Sequence, residues 1–192
     1  MPCRGFVHAC RDLMGQLLSE TDAQSKQWKT KIIEAIGDSG QVIIAGVPEV
    51  EIIIGQQPPA PELAGTAAKN RFNLLFQKFT QVFTSAEHPL VMFLDDLQWA
   101  DLASLNLMQL LMADTSHLLL IGAYRDKEVN PVHPLILALS EIKKTQSTIN
   151  TIVLAPLTQV IVNQLVSETL KCTRIFAATL SQLIYQKTKG NP

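Results

Sequence analysis

Residues Val91 to Asp101 read VMFLDDLQWAD. Four apolar residues, Val91 to Leu94, run directly into two carboxylates, Asp95 and Asp96. Such a run suits a β-strand buried on both faces, as in a parallel sheet flanked by helices. Acids buried at the end of that strand cost several kcal/mol unless something compensates them. In open α/β sheets, ligands bind beyond the carboxyl ends of the strands. A carboxylate pair there is well placed to hold Mg²⁺ together with a nucleotide phosphate.

The rest of the chain reads mainly as helix. Phe6, Cys10, Leu13 and Leu17 form one stripe of a helix over 6–18. A second helix spans 21–36, with Thr21 and Gln24 as a capping box and Gly37 at its stop. The segment 41–55, QVIIAGVPEVEIIIG, reads two ways. Its β-branched content favours strand, whereas Pro48 and Gly55 favour a short helix over 48–54; we take the helix. Three prolines make 56–65 a loop. Ala68, Phe72, Leu75, Phe76, Phe79, Val82 and Phe83 repeat at helical spacing and predict a helix packed on the sheet. Asp101 is expected to cap a helix running to about residue 113. Strands are expected over 117–123 and 149–154, with a helix over 131–144 between them. Strands alternating with helices imply βα units and a parallel sheet. After Pro156 the pattern turns wholly helical, over 158–170 and 174–188.

DDLQWAD after an apolar strand resembles the Walker B region of the STAND class of AAA-type signalling ATPases, P-loop proteins with an origin-recognition-like AAA core. Gly122-Ala123-Tyr124-Arg125-Asp126 resembles their next strand and its sensor arginine. Ala155-Pro156-Leu157 resembles the start of their helical lid, and Gly190-Asn191-Pro192 the lid's GxP motif. FVHACRDLMGQLL and PEVEIIIG resemble a subgroup found in multidomain cyanobacterial serine/threonine and histidine sensor kinases. The resemblance implies an α/β fold: part of a P-loop NTPase parallel sheet with flanking helices over 1–155, then a helical lid over 156–192. It implies Mg²⁺ and ATP as ligands, with nucleotide state coupled to adjacent or separately encoded sensor or kinase domains.

A Walker A loop reads GxxxxGK[ST], and none of the nine glycines here is followed by lysine. Met1 is therefore expected to mark a truncated, split or misannotated reading frame, or the boundary of a longer chain. In the family the Walker A strand lies between the sensor strand and the last strand. Its loss is expected to leave a cleft, or to force 118–123 and 149–154 together.

The resemblance gives each candidate residue a role. Asp95 is expected to serve Mg²⁺; its other reading is a helix-capping or loop aspartate. Asp96 stands where many AAA ATPases carry the glutamate that orients the attacking water. Its shorter reach implies slow hydrolysis, as suits a switch. Arg125 is expected to pair with the γ-phosphate and sense its loss; its other reading is a surface ion pair with Asp126 or Glu128. Pro192 matches the proline that contacts adenine. Trp99 is expected to pack the turn after the strand. His88-Pro89 and His133-Pro134 read as signals for the start of an element.

The remaining composition narrows the function classes. Hydrophobic residues make up 47% and charged residues 17%, which favours a packed core over disorder. A net charge of -1 gives no electrostatic reason to expect nucleic acid or a membrane surface. The three cysteines lack metal-ligand spacing and suit a reduced, cytoplasmic chain. No apolar run approaches the ~18 residues of a membrane span. The competing function class is a nucleotide-dead remnant or protein-interaction module that uses its long apolar-faced helices.

Overall fold

The computed structural model describes residues 3–145 and 147–191. These residues divide into two compact units, Met1–Thr148 and Ile149–Pro192.

In the first unit α1 (Arg4–Leu18) and α2 (Asp22–Ile36) form as their stripes and caps predict. The capping box is complete: Thr21 accepts from the Gln24 amide, and the Gln24 side chain accepts from the Thr21 amide. Gly37, at φ 54°, takes the backbone that ends α2. The 41–55 segment is two helices, α3 (Gly40–Gly46) and α4 (Val50–Ile54), so the strand-like first half is helical. Its β-branched residues find packing instead of a ladder: Ile43, Val47 and Val50 are fully buried, and Gly46 sits against the Phe72 ring. Pro48 lies in the turn before α4 and is not its first residue.

The long helix α5 (Gly65–Gln81) carries the aromatic spine of this unit. Phe72, Phe76, Phe79 and Phe83 follow one another at centroid distances of 5.6, 6.3 and 5.1 Å. Phe6 of α1 meets Phe76 edge-on at 6.1 Å, and Trp28 of α2 meets Phe83 at 5.4 Å. Such contacts add about 0.5–1.5 kcal/mol each beyond the area they bury.

β1 (Leu90–Leu94), α6 (Leu102–Asp114) and β2 (Leu118–Gly122) form a strand–helix–strand unit. The strands are parallel, with Leu90 beside Leu118 and Leu94 beside Gly122. One prediction is corrected here: the strands are not buried on both faces. Met92 and Leu94 are buried, but Val91, Phe93, Leu119 and Ile121 are 56, 59, 56 and 44% exposed. The register places those four on one face. α1 packs on β1, and α6 packs on α1, while the face of Val91, Phe93, Leu119 and Ile121 stays exposed. α7 (Pro134–Ile142) then packs on α6, its start capped by His133 Nδ1, which accepts from the Leu135 amide at 3.2 Å.

The second unit contains a second correction. Residues 149–154 form no strand, and Ile152, Val153 and Leu154 are 80–86% exposed. A strand is stable only with a neighbour to share its ladder, and β1 and β2 pair only with each other among the described residues. α8 (Gln159–Thr169) and α9 (Arg174–Thr188) pack through Val162, Val166 and Ala177, with Leu157, Ile184 and Tyr185 against them. The chain closes this pair by returning to its start: the Leu157 amide donates to the Gly190 carbonyl at 2.8 Å. A side chain at 190 would run into the Leu157 carbonyl, and φ there is +80°, so the position requires glycine.

Candidate functional site

The candidate site lies at the carboxyl ends of β1 and β2. β1 stops at Leu94, and Asp96 takes a left-handed backbone, φ 52°. Aspartate tolerates that conformation better than most residues because its short side chain bonds locally. The turn is tied to the neighbouring strand. The Ala123 amide donates to the Leu94 carbonyl at 2.9 Å, and the Leu97 amide to the Ala123 carbonyl at 3.0 Å.

Both acids are exposed, so the burial cost expected from sequence does not arise. Asp95 Oδ1 accepts from the Asp96 amide at 2.8 Å. Asp96 Oδ1 accepts from Gln98 Nε2 at 2.8 Å and lies 4.0 Å from Arg125 Nε. The structure thus brings Asp96 and Arg125 together across two strand ends. Gln98, only 5% exposed, links them a second way: its Oε1 accepts from the Arg125 amide at 3.2 Å. Sequence reading missed Gln98. It lies inside the DDLQWAD run, but the motif gave it no role, and only its place two residues after Asp96 could have suggested a bridging one.

Arg125 also forms the ion pair of its alternative reading, with Glu128 rather than Asp126: Nη1 to Oε1 is 3.1 Å. Its side chain is 65% exposed, so this pair contributes little to stability. The other Glu128 oxygen accepts from Trp99 Nε1 at 3.0 Å. Trp99 is 74% exposed, so it does not pack the turn as expected; it lines the cavity that holds the acid pair.

Asp101 caps α6 as expected, accepting from the Ser104 amide at 2.7 Å and from the Cys3 amide at 3.3 Å. Partial burial pushes its carboxyl up. The hydrogen bonds from Ser104, Cys3 and Ala103 outweigh that and hold it below the usual carboxylate range. On the α1 side, Arg4, Phe6 and His8 share with Asp95 and Asp96 a cavity of about 270 Å³. That is just under the ~300–1,000 Å³ of ordinary ligand clefts.

The donor chemistry fits Mg²⁺, a hard cation usually held by one or two carboxylates and completed by phosphate oxygens and water. Asp95 and Asp96 supply two such carboxylates on adjacent residues. Pro192 lies outside the described residues.

Comparison with known proteins places these features in context. The family described as "AAA ATPase domain" matches residues 1–121. A hybrid signal transduction histidine kinase, "Hybrid signal transduction histidine kinase G" of Dictyostelium discoideum, is 32% identical over 111 residues. The match covers 58% of this chain and 3% of that kinase, so the chain spans a very small part of its relative. No solved structure matches. Among the described residues no helix is long and apolar enough to cross a membrane.

Proposed function

From the premise that this chain belongs to the AAA ATPase domain family, we propose that it is part of a STAND-type, Mg-ATP-dependent signalling switch, whose nucleotide state is read by adjacent or separately encoded sensor or kinase domains. The observation that carries this reading is the approach of Asp96 and Arg125 to 4.0 Å across the ends of two parallel strands. A carboxylate and a guanidinium so placed can respond in opposite senses to a phosphate between them. Asp95 would hold Mg²⁺ as a Walker B aspartate, Asp96 would orient the attacking water, and Arg125 would leave Glu128 to meet the γ-phosphate. Pro192, after Gly190-Asn191, would contact adenine.

A phosphate cradle of backbone amides and a lysine must complete such a site. The exposed face of β1 and β2 favours a helix that packs there, brought by a strand that pairs at the free edge of β2 and leads into GxxxxGK[ST]. The same face favours the second reading, a protein-interaction module without nucleotide. Titration separates the two. The 192-residue chain alone should bind Mg-ATP more weakly than micromolar, the level at which binding reaches about -8 kcal/mol. In a chain extended by such a cradle, Arg125→Ala should weaken ATP by about 1–3 kcal/mol and leave ADP nearly unchanged. Asp95→Ala should remove the Mg²⁺ dependence. Equal loss of ATP and ADP in Arg125→Ala, or unchanged Mg²⁺ dependence in Asp95→Ala, would overturn these roles. Absence of ATP binding in the extended parent would favour the interaction module.

A further inference from the structure

A second cavity, of about 720 Å³, lies away from the acid pair, between α3, α5 and the proline-containing loop 56–64. Its size falls within the range of clefts that take small molecules. It exists because small residues face one another, among them Ala45, Ala60, Ala68 and Ala103. Val7, Val42 and Phe72 supply larger apolar surface. The polar groups on its wall include Lys69, Arg71, Gln41 and Asn73, and no carboxylate lines it among the described residues.

Arg71 gives the cavity its chemistry. Its Nη1 donates to the Pro61 carbonyl at 2.6 Å, which ties the loop to α5. Its Nε is buried and has no hydrogen-bond partner among the described residues. A buried guanidinium N–H without an acceptor is costly, and more so than a neutral donor. Lys69 lies on the same wall with no ion pair in the described structure. The cavity thus combines apolar surface with two cations and no carboxylate among the described residues.

From this charge balance we infer that the cavity binds a small amphipathic carboxylate of the fatty-acid type. Its tail lies against Val7, Val42 and Phe72, and its head on Arg71 and Lys69. The carboxylate meets the two cations on a wall that carries no acid of its own among the described residues. The tail restores dispersion contacts that the empty cavity forgoes. This site is separate from the proposed nucleotide site, and its test is indifferent to ATP.

The probe is dansyl-undecanoate, whose fluorescence rises in apolar surroundings, added to the full 192-residue chain. Saturable binding is expected, with displacement by laurate but not by dodecyltrimethylammonium. Lys69→Met should weaken laurate about tenfold, the effect of one charge-assisted contact, and leave dodecanol unchanged. Ala45→Trp and Ala68→Trp each place an indole in the cavity and should abolish dye binding. Amide NMR of the unmodified chain decides the location without any variant. Laurate should shift residues 42–46 and 68–73 and spare 91–93 and 119–121. No saturable dye binding, equal competition by the cationic amphiphile, or amide shifts confined to the exposed sheet face would each overturn the inference.

Discussion

Gly122 ends β2 beneath the turn that carries both candidate acids, and adding one methyl group there tests how that turn is held. Leu97, 8% exposed, lays its Cδ1 methyl on the glycine. A Cβ at 122 would fall closer to that methyl than the 3.0 Å that real Cβ contacts respect. The backbone does not require glycine, since φ there is not positive. Gly122→Ala therefore tests chiefly a clash, with no positive-φ strain added. Overpacking of this kind costs about 1–3 kcal/mol. Two effects pull towards the low end: the clashing atom is the tip of a flexible side chain, and alanine restricts the unfolded chain, worth about 0.4–1 kcal/mol. A net loss of about 0.5–2 kcal/mol is expected. Leu97→Ala alone should cost about 2–3 kcal/mol, the low end for a buried leucine. In the double variant the clash is gone, so Gly122→Ala should become neutral or slightly stabilising. The resulting coupling equals the clash, about 1–3 kcal/mol. Urea denaturation followed by circular dichroism measures all four corners of the cycle. Additivity within about 0.5 kcal/mol would refute the argument, because it would mean that Leu97 does not occupy the space over Gly122.

Three further outcomes follow from titratable and capping groups. Asp101→Ala should lower stability by about 0.5–2 kcal/mol through loss of the α6 cap, measured by urea midpoint at pH 7. Asp101 is held below its ordinary value, so its contribution is present above the unfolded carboxylate pKa and is lost as pH falls through the lower folded value. Asp101→Asn keeps a cap and should flatten that acid limb of the stability profile. Burial pushes the Cys10 thiol up to about 12 from 9.0. Its folded-state proton is therefore retained while the unfolded thiol ionises, and stability should fall between pH 9 and 12 by up to about 1.4 kcal/mol per pH unit. Cys10→Ala should be less stable at pH 7 yet show a shallower alkaline slope; an unchanged slope would count against burial as the cause.

The helices were legible because each carries its own signals. Thr21 and Gln24, Asp101, and His133-Pro134 mark starts through bonds made within a few residues, and the structure has all of them. The acid-tipped strand Leu90–Leu94 was legible for the same reason. What failed depended on neighbours distant in sequence. The residues 149–154 have strand character but no ladder partner among the described residues. Val91 and Phe93 read as buried because they are apolar, and only the arrangement of other elements decides whether a face is covered. The β-branched residues of 41–47 favoured strand without deciding for it, and packing buries Ile43 within α3 and Val47 directly after it. At the site, Asp96 and Arg125 could be picked out singly from their strand ends. Their bridge through Gln98 could not, because a glutamine carries no signal of which two groups it will span.

The exposed face of Val91, Phe93, Leu119 and Ile121 ties the thermal behaviour of the chain to whatever surrounds it. A molecule that covers this face binds the folded chain and not the unfolded one. By mass action it raises apparent stability by RT ln(1 + [L]/Kd), about 2.7 kcal/mol at a hundredfold excess over Kd. The melting temperature is thus not a fixed property of the 192 residues. It rises with protein concentration if copies of the chain cover one another, and with the concentration of any segment or partner that covers the face instead. A dilution series of melting curves, run with and without a candidate complement, converts an exposed surface into a binding isotherm.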